Sequence, residues 1–224
     1  TVGEYEAGMP QAGFLFPAFA NRSTDPDGVN LFAEDGACEK LAGVLYLEGL
    51  GTLKDKAERE KVAAKALCEL YQNAEFSDIS QAIHYAKADL LTSMVYEFTE
   101  LQGIMGSYYA KAQGFSDKIS LAIREQYLPK AENGALPSNE FSSIVALANK
   151  LDTLMGLFSV NKIPSGTKDP YALRRAANRV IKIALNLGVK FNLRELLNKL
   201  APNYKKFDLQ SLENFIFERL DTLY

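Results

Sequence analysis

Glu97 and Glu100 stand three residues apart in KADLLTSMVYEFTELQGIMGSYYAKAQG (87–114), and Asp89 falls at almost the same helical angle as Glu100. Carboxylates at that spacing could exchange a proton as general acid and base, or hold a metal ion. Metal centres in helical bundles typically add Glu-x-x-His motifs from facing helices, and this chain has a single histidine, His84. Its two cysteines, Cys38 and Cys68, are too isolated to form a metal knuckle or a disulfide framework, and read as reduced, buried thiols. A serine or cysteine nucleophile would need His84 as its base, and neither G-x-S-x-G nor a P-loop is present. A lone helical histidine reads as a surface or packing residue. No catalytic set is complete, so no catalytic residue and no metal ligand is assigned.

QGIMG, inside the same stretch, sets Gly103 and Gly106 three apart in a helical pattern. Each glycine costs ~1 kcal/mol there relative to alanine. A close helix crossing accounts for the pair more simply than a ligand contact does.

The strongest local signal is KIPSGTKDPYALRRAANRVIKIALNLGVK (162–190). Lys162, Lys168, Arg174, Arg175, Arg179, Lys182 and Lys190 face one acid, Asp169: seven cations against one, net +6 in a chain of net −3. Asp169 is placed to cap a helix whose first residue would be Pro170. Leu173, Ala176, Ala177, Val180, Ala184 and Leu187 then form a core stripe. Arg175, Arg179 and Lys182 lie opposite, at i, i+4 and i+7. A basic stripe backed by an apolar one suits phosphate contact, since guanidinium groups bind phosphate oxygens bidentately. It equally suits a solvated face with salt bridges to Asp169, Asp152 or the Glu97/Glu100 pair. Tyr171 is the one aromatic close by, so structured RNA fits better than a stacked single strand.

These segments need a scaffold. At 224 residues, with 47% apolar and 24% charged residues, the chain is long enough for a substantial core. A net charge of −3 gives no general hold on nucleic acid or anionic membrane. No apolar run approaches the ~20 residues of a membrane span, and no signal peptide opens the chain, which predicts a soluble, cytoplasmic protein. The first residue is Thr1, so the chain reads as a piece of something longer.

Residues 1–36 are poorly periodic and read as a weakly defined end of a preceding region, with a short strand at GFLFPAF (13–19) and turn chemistry at 21–28. Helical periods take over from residue 37 and continue to 224. CEKLAGVLYLEGL predicts a short helix ending at Gly49 or Gly51. The next helix starts from Thr52 as N-cap, with Leu53, Ala57, Ala64, Leu67 and Leu70 on one face. SDISQAIHYAKADLL (77–91) places Ile79, Ile83 and Ala86 together. Thr92 to Tyr109 repeats Val95, Phe98, Leu101/Gln102, Met105 and Tyr109 as one buried stripe. Further helices follow at 116–128, at the apolar and central 141–160, at 171–188 and at the C-terminal segments. The fold class is mainly α.

Six blocks of this chain resemble the β-subunit family of the bacterial heterotetrameric glycyl-tRNA synthetases. They are EGLGTLKDKAERE (48–60), AKADLLTSMVYEFTELQGIMGSYYA (86–110), REQYLPK (124–130), LPSNEFSSIVALANKLDTLMGLFSV (136–160), PSGTKDPYALRRAANRVIKI (164–183) and LENFIFERL (212–220). The resemblance covers roughly residues 37–224. It implies a helical region related to HD phosphohydrolase domains, running toward an anticodon-binding part. It also implies a subunit of glycine–tRNA ligase that binds tRNA-Gly, while ATP and glycine are used by the separate α subunit in an α2β2 assembly. No cofactor is then placed in this chain and no membrane is involved.

An HD site wants histidines and aspartates converging on a metal. The corresponding stretches here read KAD (87–89) and KLD (150–152), and Gln126 and Tyr127 stand where an imidazole would be wanted. The resemblance therefore implies that the metal chemistry is gone. Phosphate contacts are expected at Lys168, Arg174, Arg175, Arg179 and Lys182. The competing expectations are a scaffold that docks the α subunit without touching RNA, and a residual phosphohydrolase using Asp89, Asp152 and His84.

Overall fold

The computed structural model describes residues 37–71 and 75–223. The strand expected at 13–19, the turn at 21–28 and the Cys38 thiol lie outside the described residues and side chains. The helices and strands run α1 (Ala37–Leu41), β1 (Leu45–Leu47), β2 (Gly51–Thr52), α2 (Leu53–Cys68), α3 (Phe76–Tyr85), α4 (Ser93–Glu97) and α5 (Ile104–Ala112). Then come α6 (Asp117–Glu125), α7 (Glu140–Ser159), α8 (Leu173–Leu187), α9 (Leu193–Leu200) and α10 (Leu209–Leu223). The protein is mainly α. No helix among the described residues is long and apolar enough to cross a membrane.

α7 is the axle. Its sequence is apolar on nearly every side, so it must be covered all round. It packs on α2, α6 and α8, and Ile144, Leu147, Leu151, Leu154 and Met155 are fully enclosed. Asn139 opens it by accepting the Ser142 N–H at 2.8 Å. α2 starts where Thr52 predicts, in a reciprocal capping box. Asp55 N–H donates to Thr52 Oγ1 at 3.3 Å, and Thr52 N–H donates to Asp55 Oδ2 at 2.7 Å. α3 packs on α2 and α6, while α9 reaches back to α2 and α10 to α8.

Three local expectations are corrected. The helix predicted up to Gly49 or Gly51 stops at Leu41, and a small antiparallel hairpin follows, pairing Leu45 with Thr52 and Leu47 with Gly51. Gly49 and Gly51 sit at φ +84° and +77°, left-handed backbone that shapes this hairpin instead of ending a helix. The stripe from Thr92 to Tyr109 is not one helix: it breaks into α4, a 3-10 turn at Thr99–Leu101 and α5, which leaves Phe98 exposed. The helix expected from Pro170 begins at Leu173, after Ala172 at φ +58°.

Candidate functional site

α8 owes its orientation to its own pattern. Leu173, Ala176, Ala177, Val180, Ile181 and Ile183 are buried against α7 and α10, while Ala184 and Leu187 are half-buried. Asp169 caps this helix although it lies upstream of it. Its carboxylate accepts the N–H groups of Leu173 at 2.8 Å and Arg174 at 3.0 Å, where the helix dipole favours negative charge.

The five expected phosphate-contact residues fall into two groups. Lys168 and Arg175 are exposed, and their charged heads meet no partner among the described residues. The other three are tied to carbonyl oxygens. Arg174 Nη2 donates to Gly166 O at 2.5 Å, Arg179 Nη2 donates to Lys130 O at 2.6 Å, and Lys182 Nζ donates to Glu132 O. Arg179 and Lys182 thereby hold the 129–140 loop on α8. Burial, and behind it the charge of Arg175, lowers the Arg179 pKa. None of the acids that could have neutralised the stripe does so through a salt bridge among the described residues. Asp169 caps the helix, Asp152 is buried elsewhere, and Glu97 and Glu100 are exposed. Each guanidinium keeps further N–H donors beyond its single carbonyl contact.

A second cluster sits inside the protein, where the sequence resemblance places the phosphohydrolase aspartate Asp152. Asp152 Oδ2 accepts Lys56 Nζ at 2.8 Å, and Oδ1 accepts Arg59 Nε at 2.7 Å and the Tyr204 hydroxyl at 2.9 Å. Glu60 Oε2 accepts Lys87 Nζ at 2.6 Å, while Oε1 accepts Asn149 Nδ2 at 3.0 Å and lies 3.1 Å from Lys56 Nζ. All four carboxylate oxygens are thus engaged by internal donors, several of them cations where a metal enzyme would place its ion. Burial pushes the Asp152 pKa up, but Lys56 and Arg59 overcome it and hold the carboxyl below its usual range. Burial pulls the Lys56 pKa down, but Asp152 and Glu60 outweigh it and hold the ammonium above its usual range.

Lys150 lies in the same interior, and among the described residues its partners are two carbonyls, Gln126 O and Ala146 O, each at 3.3 Å. Burial, with Arg179 behind it, pushes it down to about 7.

Asp89, the other aspartate of the resemblance, does something different. It is fully buried, and its Oδ2 accepts the N–H groups of Gly103 at 2.7 Å and Gly106 at 3.0 Å. Gly103 sits at φ +81°, and a Cβ on Gly106 would fall 2.9 Å from Ile123 Cγ2 on α6. The glycine pair is therefore a close approach to α6, with an aspartate fastened across it. His84 is half-buried, with Nδ1 3.2 Å from Lys61 Nζ and its ring edge-on to Tyr85. Cys68 is a free, half-buried thiol, raised by that burial. Asp89, Asp152 and His84 have separate partners, and no three His, Cys, Asp or Glu side chains among the described residues are grouped to hold a metal.

Sequence reading missed the lysine cluster. One trace of it was visible, since Lys56 and Glu60 are four apart and share the buried face of α2 with Ala63 and Leu67.

The order of these blocks is matched in known proteins. The family described as "Glycyl-tRNA synthetase beta subunit" matches residues 33–224. The glycine–tRNA ligase beta subunit of Helicobacter pylori (strain Shi470) is 48% identical over 193 residues, covering 82% of this chain and 28% of the relative. That of Acidithiobacillus ferrooxidans (strain ATCC 53993 / BNL-5-31) is 42% identical over 164 residues, covering 73% and 24%. That of Trichodesmium erythraeum (strain IMS101) is 38% identical over 193 residues, covering 82% and 27%. The chain spans about a quarter of the length of these relatives. With the family matching almost the entire described region, this chain belongs to the glycyl-tRNA synthetase beta subunit family.

Proposed function

We propose that the chain helps bind and position tRNA-Gly for ATP-dependent glycylation, with α8 as its phosphate-facing surface and the α subunit holding ATP and glycine. The observation that carries this reading is the basic face of α8, rigidly backed by α7. Lys168 and Arg175 are open to solvent, and Arg174, Arg179 and Lys182 are fixed beside them. Charges held in place lose less freedom when phosphates bind, and each phosphate neutralised releases counterions.

The test is tRNA-Gly binding across a salt series, comparing the unmodified chain with Lys168→Glu/Arg175→Glu. Both side chains are exposed and neither head is hydrogen-bonded or ion-paired among the described residues, and a thermal melt verifies that the variant folds. Each true phosphate contact removed should weaken binding and lower the salt slope by ~1. Unchanged affinity and slope would make the face structural.

One observation favours a second reading. Arg179 and Lys182 already spend a donor on the 129–140 loop, which fits a scaffold shaped for docking the α subunit. In that case the α8 charge reversal would weaken α-subunit binding and leave tRNA binding as it was.

A further inference from the structure

The most exposed large side chains of α4 and the turn after it share one short projection. Tyr96 is 80% exposed and Phe98 52%, and Glu97, Thr99 and Glu100 around them are exposed too. The projection is built, not slack. At its start, Thr92 Oγ1 donates to Asp89 O at 2.7 Å and accepts the Val95 N–H at 3.2 Å. At its end, the Asp89 carboxylate takes the N–H groups of Gly103 and Gly106. One buried residue therefore closes the base from both sides. Between these anchors the backbone is paired, with Tyr96 N–H on Thr92 O at 3.0 Å, Phe98 N–H on Met94 O at 2.9 Å and Leu101 N–H on Phe98 O at 3.0 Å. Val95 is buried and roots the near side, as Met105 roots the far side.

An ordered segment that presents two aromatic rings to water is a feature of protein-binding surfaces, where Tyr and Phe supply apolar area at low entropic cost. The charge selects the partner. No Lys or Arg occurs between Lys87 and Lys111, so the tip carries Glu97 and Glu100 with no neighbouring cation in sequence. Neither glutamate forms an ion pair among the described residues. Two free carboxylates repel a phosphate backbone and attract basic side chains.

We propose that Tyr96–Glu100 is a docking prong for a partner protein that sets basic side chains around an apolar recess. Choosing the α subunit as that partner rests on the functional reading above. The two aromatic rings enter the recess, the two glutamates meet its basic rim, and Asp89 keeps the prong in shape.

The experiment titrates the chain with the cognate α subunit and, separately, with tRNA-Gly. It compares the unmodified chain, Tyr96→Ser/Phe98→Ser and Glu97→Lys/Glu100→Lys. These side chains are exposed, and a thermal melt verifies that each variant folds. The aromatic variant should bind the α subunit about tenfold more weakly or worse, as loss of aromatic anchors does. The charge-reversed variant should associate more slowly and lose its salt sensitivity. Affinity for tRNA-Gly should fall in neither. An unmodified chain that fails to bind the α subunit, or variants that bind it equally well, would overturn the proposal. A drop in tRNA affinity would overturn it too, by making the prong an RNA surface. Failure of the tRNA reading itself shows instead in the Lys168→Glu/Arg175→Glu chain, so the two can fail independently.

Discussion

Asp89 spends its charge on two backbone N–H groups inside the protein, and that leaves a signature in pH. Burial pushes its pKa up to about 6, against the partial relief that Gly103 and Gly106 provide. A carboxyl whose pKa is higher folded than unfolded binds more protons in the folded state between the two values. The contribution of Asp89 to stability therefore falls as pH rises from about 4 to about 6 and stays level above that. The step is about 3 kcal/mol for a shift from 3.8 to about 6. Asp89→Asn keeps an acceptor for the two N–H groups and cannot ionise. Its new NH2 adds a penalty of about 1–3 kcal/mol if unpaired, but that penalty does not depend on pH. Urea denaturation between pH 4 and 7 should show the variant gaining on the unmodified chain across this window. A constant difference between the two would mean that Asp89 does not titrate there.

Gly106 shows packing overruling propensity at the scale of an element. In a free helix, alanine would be favoured by ~1 kcal/mol. On α5 the added methyl would lie 2.9 Å from Ile123 Cγ2 and 3.1 Å from Asp89 Oδ2. Overpacking of that kind costs about 1–3 kcal/mol. Gly106→Ala should therefore lower the denaturation midpoint. In an Ile123→Ala background it should cost less, so the pair is less than additive. A raised midpoint for Gly106→Ala alone would show that α5 can shift away from α6.

The same contact explains what sequence could reveal of the elements. The Thr52 cap, the apolar α7 and the core stripe of α8 depend on neighbours within four residues, and they were legible. The break between α4 and α5 was not. Val95, Leu101, Met105 and Tyr109 keep helical spacing straight through it, while the carboxylate that binds Gly103 and Gly106 at the start of α5 belongs to Asp89, 14 and 17 residues away. The basic face was readable as a pattern, yet not its division into free and tethered cations. That division depends on carbonyls of a loop 49 and 50 residues away.

Across the whole molecule the lysine cluster joins parts that are far apart in sequence. Asp152 on α7 binds Lys56 and Arg59 on α2, 96 and 93 residues away, and receives Tyr204 from the segment between α9 and α10. Its carboxyl is held below the ordinary range, so the stability it contributes is present above pH ~4 and lost only as pH falls further. Asp152→Asn would leave the Lys56 and Arg59 cations buried against a neutral amide. Removing one partner of a buried ion pair costs about 3–5 kcal/mol. The Tyr204 hydroxyl would also lose its charged acceptor, loosening the C-terminal helices from α7. At pH 7 the two isosteric substitutions should therefore separate. Asp152→Asn should strongly lower the unfolding free energy, while Asp89→Asn stays close to the unmodified chain because relief of a buried charge offsets an unpaired amide. Denaturation of both variants in one buffer checks this. Equal losses would mean that the two aspartates share one kind of environment, and that the cations around Asp152 do not hold the molecule together.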